Sequence, residues 1–179
     1  MSLPGREWDG SRLCVGGQSA GGNLSAAVAR TALEQSSPRI ALQLLHYAPL
    51  DLVTPTADKR SPLGGRAVLK PWMGEVFDTA YVPSPADRRH RLASPALPAN
   101  ADGISGIAPA VVITAEYDRL RGEGVAYASA LDAAGALVRH HDVEGVDHGY
   151  NVMSNATGVT RRMYDLMAAE VRAAVRPRW

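Results

Sequence analysis

The sequence predicts an α/β protein, a parallel sheet of about four strands flanked by helices, on three observations. Short apolar runs alternate with helical patterns along most of the chain. One run, Ile40 to His46, is apolar almost throughout, as suits a strand buried on both faces. A serine bracketed by glycines stands where the first run passes into the first helix.

Taken in order, residues 1 to about 11 are polar and turn-like, with Asp9-Gly10 ahead of the first strand, Arg12 to Gly17. A helix is expected from Ala20 to Gln35, closed by Ser36-Ser37-Pro38, and Ile40 to His46 then completes a strand–helix–strand unit. From about 49 to 107 eight prolines break the pattern, and this stretch reads as an irregular insertion within one domain of residues 1–179. Only Leu69 to Val82 and Pro85 to Leu92 look helical there. In the first of these, Trp72, Met73, Val76, Phe77 and Tyr81 recur at helical spacing, which points to packing more than to a substrate wall. Regular structure resumes with a strand at Ala108 to Ala115, a helix from Arg121 to Ala134 stopped by Gly135, and a fourth strand at Leu137 to Val143. Val159 to Val175 closes the chain as an amphipathic helix with Val159, Met163, Leu166, Met167, Val171 and Ala174 on one face and Glu170 at its margin.

A chain of 179 residues that is 46% hydrophobic can bury one sizeable core. The net charge of +1, without a basic run interleaved with aromatics, gives no footprint for nucleic acid or an anionic membrane and suits a small neutral partner. The single cysteine, Cys14, excludes an internal disulfide framework and fits a reducing compartment, so a cytoplasmic location is expected. No run of 18 uncharged apolar residues predicts a membrane span, and the N-terminus has no apolar core of a signal peptide.

Gly17-Gln18-Ser19-Ala20-Gly21 spells GxSxG, and its setting between strand and helix is what gives the motif weight. A turn sharp enough to lift a serine hydroxyl above a strand end brings the residues two before and two after it together, so both are expected to be glycine for want of room. The N–H of Ala20 and the positive end of the helix dipole would face an oxygen acquiring negative charge. Neither GxGxxG nor GK[ST] is present, which argues against a phosphate cradle. Loops after the C-terminal strand ends of such a sheet line one crevice. There Asp118 follows the third strand and His148 the fourth. The order Ser19, Asp118, His148, one residue from each of three loops, is that of a nucleophile elbow with its orienting acid and its base. Alone, Asp118 would read as a helix cap and His148 as a structural loop residue. Of the other histidines, His140 and His141 point to opposite faces of a strand, His46 suits strand-end packing and His90 solvent. Without HExxH or CxxC spacing, no metal site and no cofactor are expected.

Three motifs in register, Gly17-Gln18-Ser19-Ala20-Gly21-Gly22-Asn23-Leu24, Thr114-Ala115-Glu116-Tyr117-Asp118-Arg119-Leu120-Arg121-Gly122-Glu123-Gly124 and Gly145-Val146-Asp147-His148-Gly149-Tyr150, make the chain resemble the hormone-sensitive-lipase group of α/β-hydrolases, a family of serine carboxylesterases. The resemblance runs from about Trp8 onward. It implies Ser19 as nucleophile, His148 as base, Asp118 as its orienting acid, and short-chain acyl esters as substrates. The family also carries an HGGG oxyanion loop and four strands ahead of its nucleophile, and these 179 residues contain neither. The resemblance is therefore to the C-terminal half, strands five to eight. Ala20 is then the one oxyanion donor in hand, and each lost donor costs about 10²–10³ in turnover. An impaired esterase is the expectation; the alternatives are an inactive fragment, a small-molecule binding protein on the same scaffold like the related gibberellin receptors, or a peptidase with the same three residues. The first strand, normally interior, would present an apolar edge, so self-association through antiparallel pairing of Arg12 to Gly17 is expected.

Overall fold

A computed structural model of the chain describes residues 12–176. The turn expected at Asp9-Gly10 lies outside the described residues. Four strands, β1 (Leu13–Gln18), β2 (Ile40–His46), β3 (Ala110–Ala115) and β4 (Leu137–Val143), form one sheet in the order β1-β2-β3-β4. Every neighbouring pair is parallel, and Gln18 lies beside His46 while His46 lies beside Ile113. The C-terminal ends of β1, β2 and β3 therefore stand side by side at one rim. The α/β class and the strand count agree with the expectation, and the strand limits fall within two residues of it.

Alternation along β3 explains why the sheet is covered on both faces. Ala110 and Val112 join Leu45, Ala26, Ala29, Tyr127 and Leu131 in one core, under α1 (Ala20–Gln35) and α4 (Arg121–Ala133). Val111 and Ile113 join Leu42, Val143 and Met163 in the other, under α6 (Thr157–Val175). All six residues of β3 are buried. The two outer strands differ: β4 carries Arg139 and Asp142, charges that discourage pairing, whereas β1 carries Leu13, Cys14 and Val15, only partly buried. Glu170, on α6, pairs with Arg139 at 2.8 Å.

Residues 47–109 lead from the C-terminal end of β2 back to the start of β3, and Pro49, Thr56, Lys59, Val68, Leu69 and residues of the helix that follows line the space beside Ser19 at the rim. Their helices are α2 (Pro71–Tyr81), which opens on a proline at its first position, and the single turn α3 (Pro98–Ala101). Two points differ from expectation. Pro85 to Leu92 makes only a 3₁₀ turn, Asp87–Arg89, because the buried Arg88 turns inward and gives its guanidinium to Val82 C=O and Thr79 Oγ1. The apolar face of α2 does not pack: Trp72, Val76, Phe77 and Tyr81 are exposed, and the buried positions are Gly74 and Asp78. Gly74 is needed there, since a Cβ would stand 1.9 Å from Thr56 Oγ1.

Side chains bonded to backbone hold this irregular stretch, as a segment without ladder bonds requires. Asn23 Nδ2 donates to Pro49 C=O at 2.7 Å and Ala93 C=O at 2.8 Å. Ser94 Oγ accepts Leu52 N–H and donates to Arg88 C=O. Arg119 donates to the carbonyls of Leu69, Gly64 and Lys59. Lys59 and Glu123 form a buried ion pair at 2.7 Å. A further short helix, α5 (Tyr150–Met153), follows the β4 loop and had no counterpart in the sequence reading.

Candidate active site

Ser19 stands between β1 and α1 with φ 51° and ψ −125°, a left-handed conformation that costs a non-glycine residue on the order of 1–3 kcal/mol. Its N–H donates to His46 C=O at 2.9 Å, which pins the turn to β2. Gly17 meets the steric expectation: a Cβ there would lie 2.4 Å from the Gly21 carbonyl carbon. Gly21 does not, because a Cβ on it would meet nothing within 4 Å. The second position where a side chain has no room is Gly22, whose Cβ would lie 2.6 Å from Ala48 Cβ. That restriction comes from the β2 loop, a neighbour distant in sequence.

The structure brings all three sequence-derived candidates together. Ser19 Oγ lies 3.0 Å from His148 Nε2, and His148 Nδ1 lies 2.7 Å from Asp118 Oδ2. Asp118 is 1% exposed, and its second oxygen accepts Leu120 N–H at 3.0 Å, so the carboxylate is held in one orientation. Ala20, the fourth candidate, opens α1, and its N–H meets no carbonyl among the described backbone bonds. Ser19, Ala20 and His148 line one cavity of about 340 Å³, walled by Pro49, Val68, Leu69, Met73, Phe77 and Leu120. The chemistry such a set can perform is proton transfer from hydroxyl to imidazole, with the carboxylate fixing the ring and a free N–H at a helix start.

Several residues that support this arrangement escaped the sequence reading. Asp147 binds Val68 N–H at 2.6 Å with one oxygen and His148 N–H at 2.7 Å with the other, tying the histidine loop to the cavity wall. Its only sequence signal is its place beside His148. Tyr47, at φ 38°, lays its ring edge-on to His148 with centroids 4.9 Å apart. Burial and the Tyr164 hydroxyl push the Tyr47 phenol up to about 12. His46 does pack at its strand end, and it also reaches Tyr150 Oη at 2.9 Å. Burial first, and the nearby His148 second, lower His46 to about 4, so it is neutral at pH 7. His140 reaches Thr114 Oγ1 at 3.0 Å, and His90 is exposed. No group of three or more metal-binding side chains occurs among the described residues. No helix among them is long and apolar enough to cross a membrane.

The strand order, the serine turn and the cavity are those of an α/β hydrolase, and comparison with known proteins gives the same class. The chain belongs to the alpha/beta hydrolase fold family, whose description matches residues 4–152. Among its relatives is the carboxylesterase NlhH of Mycobacterium tuberculosis, 39% identical over 147 residues that make up 79% of this chain and 44% of that protein. The carboxylic ester hydrolase LipN of the same organism is 38% identical, over 83% of this chain and 38% of its own length. Of solved structures, a thermostable esterase from Pseudomonas putida superposes with a TM-score of 0.82 at 30% identity, covering 95% of this chain and 53% of that one. The chain thus spans about half the length of the relatives it matches, in agreement with the resemblance to half of a hydrolase.

Proposed function

We propose that this chain carries the nucleophile, base and acid of a serine carboxylesterase acting on short-chain acyl esters. The observation that carries the reading is the unbroken contact Ser19 Oγ to His148 Nε2 and His148 Nδ1 to Asp118 Oδ2, beside an apolar cavity. The carboxylesterase and ester hydrolase names of the relatives support it. In this mechanism His148 takes the proton of Ser19 as the hydroxyl oxygen attacks the acyl carbon. Asp118 holds the ring with Nε2 facing the serine and stabilises the imidazolium. The Ala20 N–H donates to the oxyanion; His148 then protonates the departing alcohol. Water, deprotonated by the same imidazole, releases the acid and restores Ser19.

Assayed as these 179 residues alone, with Ala20 as the single main-chain donor in hand, turnover is expected to be reduced by about 10²–10³ for each donor the HGGG loop supplies in the resembling family. The test is hydrolysis of p-nitrophenyl butyrate by the chain beside its Ser19→Ala variant. A rate that vanishes with the hydroxyl supports the reading, and equal rates refute it.

A further inference from the structure

The cavity beside Ser19 is apolar along most of its wall, but besides Ser19 and His148 it is lined by three polar residues, Thr56, Lys59 and Asp78. Their states differ. Lys59 is committed, with its ammonium 2.7 Å from Glu123 Oε2 and donating to Asp51 C=O at 2.6 Å. Asp78 is 9% exposed, and its carboxylate has no hydrogen-bond partner among the described residues. Thr56, 4% exposed, keeps its hydroxyl against Gly74. The orphan polar atoms sealed from solvent among the described residues are Asn23 Oδ1 and Gln43 Oε1, so the oxygens of Asp78 and Thr56 are still open to a partner.

A carboxylate in a mostly buried residue that meets no protein donor takes its hydrogen bonds from water or from a ligand in the cavity. The protein had alternatives at hand: on the same helix Glu75 takes the Arg88 guanidinium at 3.4 Å. Burial raises the Asp78 carboxyl above its usual range, while Lys59 and Arg88 act to lower it and Glu75 and Asp51 to raise it; charges of both signs surround the carboxylate, and a neutral donor suits its unpaired oxygens. We propose that Asp78, with Thr56 beside it, is a specificity-determining residue that accepts a hydrogen bond from a hydroxyl on the ester's cavity-bound chain. The favoured substrates are then esters of hydroxylated alcohols or acids, in preference to plain alkyl esters. Only the turnover part of this inference rests on the esterase reading above; recognition by the cavity does not.

Binding is therefore measured first, with Ser19→Ala protein and two isosteric ligands, heptyl acetate and 6-hydroxyhexyl acetate, by titration calorimetry. A charge-assisted hydrogen bond set against an apolar wall is expected to favour the hydroxylated ester about tenfold. In Ser19→Ala/Asp78→Leu the preference should invert, since the hydroxyl then enters an apolar site. Ser19→Ala/Asp78→Asn, of nearly the same shape and still an acceptor, should keep the sign of the preference, which covers the case in which the leucine variant does not fold. Tighter binding of heptyl acetate to the Asp78 protein, or an unchanged preference in the leucine variant, overturns the proposal. If the Ser19 protein hydrolyses neither ester while the binding preference holds, the esterase reading fails and the recognition site stands.

Discussion

Lys59→Met is expected to destabilise the chain by about 3–5 kcal/mol at pH 8, the usual cost of leaving one partner of a buried ion pair behind. Both side chains of the pair are 6% exposed. Glu123 Oε1 also accepts Leu50 N–H at 2.7 Å and Asp51 N–H at 3.3 Å, so the variant keeps two dipoles on the carboxylate but no counter-charge. Against a total stability of about 5–15 kcal/mol, this is a large share. Burial already pushes Glu123 up from 4.5 to about 7, with the Lys59 ammonium and the two N–H groups pulling the other way. A folded value above the unfolded one means that the folded state binds the proton more tightly. The stability linked to this group is therefore full below about pH 4.5 and is lost as the pH rises through about 7. Without Lys59 the folded value climbs further and the loss extends to higher pH. The deficit of the variant should be largest at pH 8 and shrink towards pH 5, where Glu123 is neutral. Urea unfolding of both proteins at pH 5, 6, 7 and 8 measures it, and Glu123→Gln added to Lys59→Met should recover about 1 kcal/mol of the loss at pH 8, since a carboxylate at about 7 needs little more than that to take up its proton there. A deficit below about 1 kcal/mol at pH 8, or one that grows as the pH falls, would refute this reasoning.

Other outcomes can be checked alongside. Asp118→Asn should lower kcat for a p-nitrophenyl ester by about 10⁴ while leaving the unfolding midpoint nearly unchanged, because the loss is one of ring orientation. Gly22→Ala should cost on the order of 1–3 kcal/mol in urea unfolding, since its Cβ would stand 2.6 Å from Ala48, whereas Gly21→Ala meets no neighbour and should cost less than 1. Asn23→Ala should cost about 2–4 kcal/mol, as two carbonyls, of Pro49 and Ala93, lose their donor. In light scattering the chain is expected to be a dimer through β1, and Val15→Lys should shift it to a monomer; a monodisperse monomer of the unaltered chain contradicts edge pairing.

The regular frame could be read from residues because burial and local geometry agree there. Ile40 to His46 and Ala108 to Ala115 are apolar runs; the first is a strand over those residues and the second from Ala110 onward. Ser19, Asp118 and His148 could be read because each follows a strand of one parallel sheet, and parallel order alone brings those loops to one rim. What escaped depends on contacts between segments far apart in the chain. Arg88 folds Pro85 to Leu92 into a 3₁₀ turn by bonding inward. Ala48 makes Gly22 obligatory in place of Gly21. Asp147, to which the motif alone gives no role, spans from its own loop to Val68. The apolar spacing of Trp72, Val76 and Phe77 suggests a packed face, yet α2 turns Gly74 and Asp78 inward and leaves those residues exposed, Trp72 at 68%.

Whether Ser19, His148 and Asp118 act as one unit is read most directly by labelling with a fluorophosphonate, followed by mapping of the modified residue by mass spectrometry. We expect a single adduct, on Ser19, formed at least 100 times more slowly when His148 is replaced by alanine. An adduct spread over several serines, or a Ser19 adduct formed as fast without the imidazole, would contradict the assignment.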